Sequence, residues 1–360
     1  MAFPFTEDHD MIREAVRGFL QDVYDSGKGP ERVYNSGKGY DAATWQSFAQ
    51  DLGMAGIAID EAFGGAGLGD LGRVLVMEEL GGSLTSIPFS PTCTIAADLI
   101  SAIATDEAKA EYLPKIASGD IIIAYTDGHN ALSLSGETIS GAINNVLYGS
   151  EADLLLVTVN SKAGLRLIGI PKGLAGFKAN LTQTMDPTRS LSNIVLKDIA
   201  LSDVIFFGES PAETVENIVK LSFIGLAAEC VGGAQQCLDM TLEYLGQRVQ
   251  FGRPIASFQA IKHRCADMFI LIEAARSAVY AAALADGDKK IELSLIAKAY
   301  ASDAFFEVAG HAIQMHGGIG FTWEYPLHYF FKRARANRAV FGTSSRDYAR
   351  LADSLLGEAA

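Results

Sequence analysis

Apolar residues recur at helical spacing from the start of the chain. Ile12, Val16, Phe19, Leu20 and Val23 follow Thr6, whose hydroxyl suits an N-cap, so the pattern predicts an amphipathic helix over residues 7–23. A second helix is expected over residues 42–52. In GMAGIAIDEAFGGAGLG the close spacing of glycines predicts a break near Gly64 and Gly65. Helical patterning resumes over residues 73–80, where Gly81-Gly82 reads as the stop, and holds again over residues 95–119.

The period then changes. IIIAYT, ETISGAI, DLLLVTV, LRLIGIP and SNIVLKDIALSDVIFF are short, rich in β-branched residues and punctuated by Gly, Asn or Pro, which predicts antiparallel strands. From Glu213 the helical period returns over residues 213–247, 256–286, 291–316 and 344–356, the pattern of a helical bundle. The expected organisation is α+β and mostly α: an N-terminal helical domain (1–119), a middle antiparallel β-domain (120–208) and a C-terminal four-helix bundle (209–360).

Composition narrows the partners. Apolar residues make up 49% of 360 residues and charged ones 20%, enough apolar material for a large core. Runs such as residues 221–226 are too short to span a bilayer, so no transmembrane segment is expected. MAFPFTEDHD has neither the basic nor the apolar region of a secretory signal, which points to the cytoplasm. A net charge of −14, spread along the chain, repels phosphate backbones and argues against nucleic acid. The basic cluster Lys332, Arg333, Arg335 and Arg338 reads either as a solvated helix face or as contacts to a phosphate-bearing ligand. Cys93, Cys230, Cys237 and Cys265 lack metal-ligand spacing and the density of a disulfide scaffold, so reduced, buried thiols and no metal site are expected.

Local motifs carry the chemistry. QMHGGIGFTWEYPLHYFFKRARANRAVFGT, ending at Thr343, resembles the C-terminal signature of the acyl-CoA dehydrogenases. FAQDLGMAGIAIDEAFGGAGLG, MEELGGSL, YLPKIASGD, TMDPTRSLSNIVLKDIALSDV and QRVQFGRPIASFQAIKHRCADM resemble successive segments of the same family, in the same order. The resemblance covers nearly the whole chain and implies that family's fold, FAD as cofactor and an acyl-CoA thioester as substrate. Such chemistry needs a flavin to accept hydride from the β-carbon, a carboxylate to take the α-proton, and donors that polarise the thioester carbonyl.

The resemblance places those parts on particular residues. It assigns the adenine-diphosphate half of a flavin, held across a subunit interface, to Arg248, Gln250 and Phe251 of RxxFG, then Gln259, then Gln314, Gly317 and Gly318 of QxxGG. Arginine offers a fork for pyrophosphate and glycine lets backbone approach it. The competing reading is a helix-end cation beside an ordinary turn. The flavin-ring loops of the family survive poorly: YTDGHNALSLSG and NNVLYGSEADLLLV stand in their places, leaving Thr126 either at a flavin edge or as a plain strand-end residue. Thr343 of the final triplet is retained, whereas the Gln common two residues later is Ser345.

The base position of the family's final Glu-Gly-Thr triplet is Phe341, and a phenylalanine accepts no proton. The alternative base position on the first long bundle helix is Ser222, followed by Phe223. Glu229, in the small apolar run GLAAECVGGA, reads as a relocated base or as a paired buried acid, and Asp347 as a relocated base or as surface charge. Three functions remain open. The chain is a non-catalytic subunit whose Glu-bearing paralogue completes the site, as in heteromeric α2β2 relatives acting on bulky steroid-derived thioesters. Alternatively it is a self-sufficient flavoenzyme with a relocated base, or a non-enzymatic assembly or acyl-CoA-binding module. The small-residue stretch LSFIGLAAECVGGAQ is expected to need a second subunit to cover it.

Overall fold

In the computed structural model, residues 5–36, 40–128, 131–162 and 164–356 are described. α1 (Glu7–Val23) begins where the pattern places it, with Thr6 extended at the N-cap. The His9 imidazole reaches back to accept the Thr6 backbone N–H at 3.1 Å, and Glu7, Asp8 and Asp10 favour the positive helix end. α2 (Pro30–Ser36) and α3 (Ala42–Gln46) follow; Asp41 caps α3 by accepting from the Thr44 N–H at 2.9 Å, and a wider turn extends it to Asp51. The predicted break is real: Gly64 has φ 80°, and a Cβ on Gly65 would stand 2.0 Å from the Ile59 carbonyl oxygen.

α4 (Gly69–Ser83) corrects one expectation, because Gly81 and Gly82 lie inside the helix and do not stop it. α5 (Ala97–Ile103) and α6 (Asp106–Ala117) complete the first helical stretch, Thr105 capping α6 and Gly119 ending it at φ 74°.

The strands are β1 (Ile123–Asp127), β2 (Leu132–Ser135), β3 (Thr138–Leu147), β4 (Leu154–Asn160), β5 (Leu165–Pro171), β6 (Phe177–Leu181), β7 (Leu191–Ala200) and β8 (Ile205–Ser210). They form two four-stranded sheets, ordered β1-β4-β5-β8 and β2-β3-β7-β6. The expected antiparallel pairing needs one correction: β1 runs parallel to β4, with Ile123 opposite Leu154. The chain leaves β1 to build β2 and β3 in the other sheet, and such a crossover returns a strand in the same direction. β2 and β6 escaped the sequence pattern because they are short, mostly exposed edge strands without β-branched residues. SNIVLKDIALSDVIFF is two strands, split by a turn at Leu201–Asp203.

The helix predicted over 213–247 divides at Ser222 into α7 (Ala212–Leu221) and α8 (Phe223–Gln247); the Ser222 hydroxyl donates to the Val219 carbonyl at 2.6 Å. A short hairpin of β9 (Val249–Gln250) and β10 (Arg253–Pro254) leads to α9 (Gln259–Leu284), α10 (Gly287–His316), α11 (Leu327–Asn337) and α12 (Ser344–Leu356). The chain divides into two compact units. One comprises Met1–Glu31, Val74–Thr85 and Phe223–Ala360, the other Arg32–Arg73 and Ser86–Ser222.

In the first unit the helix crossings depend on glycine. A Cβ on Gly81 would stand 2.1 Å from the Glu229 carbonyl oxygen, and one on Gly232 only 1.7 Å from that of Glu78, so α4 and α8 touch backbone to backbone. A Cβ on Gly233 would likewise stand 2.4 Å from the Phe305 ring of α10. Residues 223–234 of α8 are all buried by the chain itself. The small-residue stretch is therefore spent on internal packing, and the expectation that a second subunit must cover it is overturned. Ala212–Gln247 is long and apolar enough to cross a membrane, but 72% of its most apolar window is buried inside the fold, as in a core helix.

Candidate functional site

Bundle topology gathers the clamp residues. α8 ends at the hairpin, α9 starts there and runs back, and α10 returns antiparallel to α9, so the end of α8, the start of α9 and the end of α10 share one end of the bundle. Arg248, Gln250 and Phe251 lie on the hairpin, Gln259 opens α9, and Gln314, Gly317 and Gly318 close α10. The Arg248 N–H donates to the Tyr244 carbonyl at 2.9 Å, and its own carbonyl accepts from Ile255 at 2.9 Å, which fixes the hairpin base.

All seven residues are exposed. Among the described residues, the side chains of Arg248, Gln259 and Gln314 make no hydrogen bond or ion pair within the chain, whereas Gln250 Nε2 donates to the Val249 carbonyl at 2.8 Å. Phe251 is 90% exposed at φ 54°, a left-handed conformation that bulky residues seldom take. Gly317 has φ 63°, and a Cβ on it or on Gly318 would meet nothing within 4 Å, so this backbone is open to a ligand.

Thr343 is not part of that group. It stands just before α12, which docks on α10 at Lys298, and a rise of 1.5 Å per residue places Lys298 roughly 27 Å along α10 from His316. The turn beside it is held from beneath. Lys298 Nζ donates to the Gly342 carbonyl at 2.6 Å and to Asp347 Oδ2 at 2.5 Å, both side chains being 0% exposed. Arg350 Nη1 stands 3.6 Å from the other Asp347 oxygen. Asp347 is thus neither surface charge nor an available base.

Phe341 sits on this turn at φ 58°, and its ring stacks on Phe223 with centroids 5.8 Å apart and planes at 25°. Phe223 and Phe341, far apart in sequence, therefore meet at this turn. The Lys298 ammonium lies 5.4 Å from the Phe223 ring centre.

Glu229 is 4% exposed and pairs at 2.6 Å with Arg333, itself 3% exposed. The acid is committed to its ion pair, as the paired reading of the sequence expected. Arg333 is the one member of the basic cluster that does not fit a solvated face. Arg338 pairs with Asp303 at 2.7 Å, Lys332 lies 4.6 Å from the centre of the Trp323 ring, and Arg335 is the exposed member of the four. Lys298 went unnoticed in the sequence; its signal is a single cation among core alanines in IAKAYAS.

In the β-domain, Thr126 is half-buried on β1, and His129 and Asn130 of YTDGHNALSLSG lie outside the described residues. The second ring loop turns Tyr148 inward: it is 4% exposed at φ 53°, its N–H donates to the Ser190 carbonyl at 3.0 Å, and its hydroxyl lies 3.5 Å from Ser86 Oγ. Separately, α1, α4, α8 and α9 line an open cleft of about 700 Å³, with Glu78 among its lining residues. That carboxylate accepts from Arg13 at 3.3 Å, Arg276 at 2.9 Å and Tyr280 at 2.6 Å. Burial and the adjoining carboxylate raise the Tyr280 pKa, so it remains a donor.

Helices, two four-stranded sheets and a helical bundle follow one another in the order of the acyl-CoA dehydrogenase class of fold. The family's N-terminal domain model matches residues 6–120 and its C-terminal domain model residues 216–356. "Acyl-CoA dehydrogenase IpdE2" of Mycobacterium tuberculosis is 33% identical over 98% of each chain. The chain belongs to the acyl-CoA dehydrogenase family, whose members are FAD-binding oxidoreductases. Among solved structures, the ChsE4-ChsE5 complex from Mycobacterium tuberculosis is 25% identical with a TM-score of 0.87 and full coverage of both chains (100% each). A glutaryl-CoA dehydrogenase from Mycobacterium smegmatis in complex with FADH2 shares the fold at 20% identity, a TM-score of 0.89, and coverage of 99% of this chain and 96% of that one.

Proposed function

We propose that this chain is the non-catalytic subunit of a heteromeric acyl-CoA dehydrogenase, completing the FAD site of a paralogous, Glu-bearing partner. The observation that carries it is the division of labour within one chain. Among the described residues, Arg248, Gln259 and Gln314 keep free polar heads beside the open Gly317-Gly318 backbone, while the turn at the family's base position carries the Phe341 ring, stacked on Phe223, in place of a carboxylate. The bundle end suits an adenine diphosphate: a guanidinium fork for the phosphates, carboxamide donors, and exposed backbone without a Cβ to block approach. The ring loops suit a flavin ring less well, because Tyr148 is turned into the protein interior.

Bound FAD would supply hydride acceptance from the β-carbon of an acyl-CoA. This chain's part is to hold the diphosphate through Arg248 and to keep its own Phe341 turn rigid through Lys298 and Asp347. Removal of the α-proton falls to a carboxylate of the partner. A relocated base within this chain finds no support, since Glu229 is held by Arg333 and Asp347 by Lys298. The ChsE4-ChsE5 relative is itself a complex of two chains, which accords with the proposal.

Co-expression with a Glu-bearing paralogue is expected to give an α2β2 tetramer carrying two flavins, read by light scattering and flavin absorbance. Four flavins per tetramer, or a flavin-loaded homotetramer of this chain alone, would overturn the assignment. Arg248→Ala or Gln314→Ala should weaken flavin retention in the assembled protein by about 1.5–3 kcal/mol without unfolding it, the loss of a charged hydrogen bond. Undiminished flavin content after dialysis of both variants would remove the clamp.

A further inference from the structure

The clamp needs two chain segments in register, the hairpin after α8 and the turn after α10, and the structure joins them through three rings. His316, the last residue of α10, is 3% exposed and stacks on Tyr244 with centroids 4.4 Å apart and planes at 21°. Tyr325 packs on His316 at 4.7 Å and donates its hydroxyl to the Met240 carbonyl of α8 at 3.4 Å. Tyr244 lies one helical turn before Arg248 and accepts that residue's N–H. His316 lies between Gln314 and Gly317. Each ring is thus within one turn of a clamp residue or ties the segment after the clamp back to α8.

The imidazole is well suited to this place. Nδ1 lies 2.8 Å from the Ala312 carbonyl, so it carries the hydrogen and donates. Burial lowers the ring's pKa, and the neutral ring stacks without placing a charge beside the phosphate-binding end. Gly320 follows with its Cα hydrogens against the His316 side chain, where a Cβ would stand 2.9 Å from that of His316. Ring packing of this kind adds to simple burial and resists sliding of one helix end past the other.

We propose that His316, stacked between Tyr244 and Tyr325, is the positioning residue of the adenine-diphosphate clamp, setting the spacing between the Arg248 fork and the Gln314 to Gly318 turn. This rests on the clamp reading above. The test measures binding of FAD, and separately of ADP, to the protein purified in its native assembly, well below its unfolding temperature. His316→Leu and Tyr244→Leu are each expected to weaken both ligands about tenfold, the scale of one displaced charged hydrogen bond. His316→Phe, which keeps the stacked ring, should restore most of the affinity. Arg248→Ala serves as the reference. If it weakens binding while neither leucine variant does, the positioning role falls and the clamp stands. If Arg248→Ala is also without effect, the clamp and the positioning role fall together. A leucine variant that lowers the unfolding temperature yet binds both ligands as wild type shows a purely structural ring and equally overturns the proposal.

Discussion

Lys298→Met is expected to cost about 3–5 kcal/mol of stability, because it strands Asp347 without its cation at a site closed to water. Arg350, 3.6 Å from one carboxylate oxygen, offsets part of that charge and sets the lower end of the range. The loss is local as well as global. Without the Nζ hydrogen bond to the Gly342 carbonyl, the turn that keeps Phe341 at φ 58° loses its anchor. Urea unfolding of Lys298→Met against the double variant Lys298→Met/Asp347→Leu checks the account. The double variant should recover most of the loss, since replacing both partners with apolar groups removes the uncompensated charge. A single variant within about 1 kcal/mol of wild type would mean that the carboxylate is solvated or paired elsewhere.

Gly232→Ala is the second large effect, expected at roughly 3 kcal/mol because a Cβ there has backbone and not a movable side chain in front of it. Gly82→Ala provides the contrast. Its Cβ would meet only the Gly232 carbonyl at 3.6 Å, an ordinary contact, and alanine in a helix interior gains roughly 0.5–1 kcal/mol over glycine. Thermal unfolding should therefore move in opposite directions for two single-methyl additions at the same crossing. Equal, small shifts would show that α4 and α8 are not in backbone contact.

The crossing also explains why Gly81-Gly82 misled the sequence reading. A glycine pair after an apolar run signals a helix stop when nothing packs on it, and a close helix approach when another glycine-bearing helix does; only the partner distinguishes them. Patterns confined to one element were legible: α1 matches its apolar period and its Thr6 cap, and the core strands match their β-branched runs. Edge strands β2 and β6 carry no such pattern, and the parallel β1–β4 pairing depends on which sheet the intervening chain joins. The clamp motifs could be placed in order from the sequence, but their gathering at one bundle end follows from helix direction. Charge was the least legible. Arg333, Glu229, Lys298 and Asp347 look alike in sequence to surface residues, and their partners lie on other helices.

The Glu78 carboxylate draws donors from Arg13, 65 residues before it, and from Arg276 and Tyr280, 198 and 202 residues after it. During synthesis, then, α1 and α4 leave the ribosome long before the helices that complete their ion-pair network exist. A nascent chain ending short of Tyr280 carries a buried-type acid without its full set of donors, and a glycine-lined groove on α4 with nothing laid in it until α8 follows. Late closure of such distant contacts slows folding and prolongs exposure of apolar surface. Truncated chains ending near residue 220 should accordingly recruit holding chaperones during translation, and chains extended beyond residue 316 should release them.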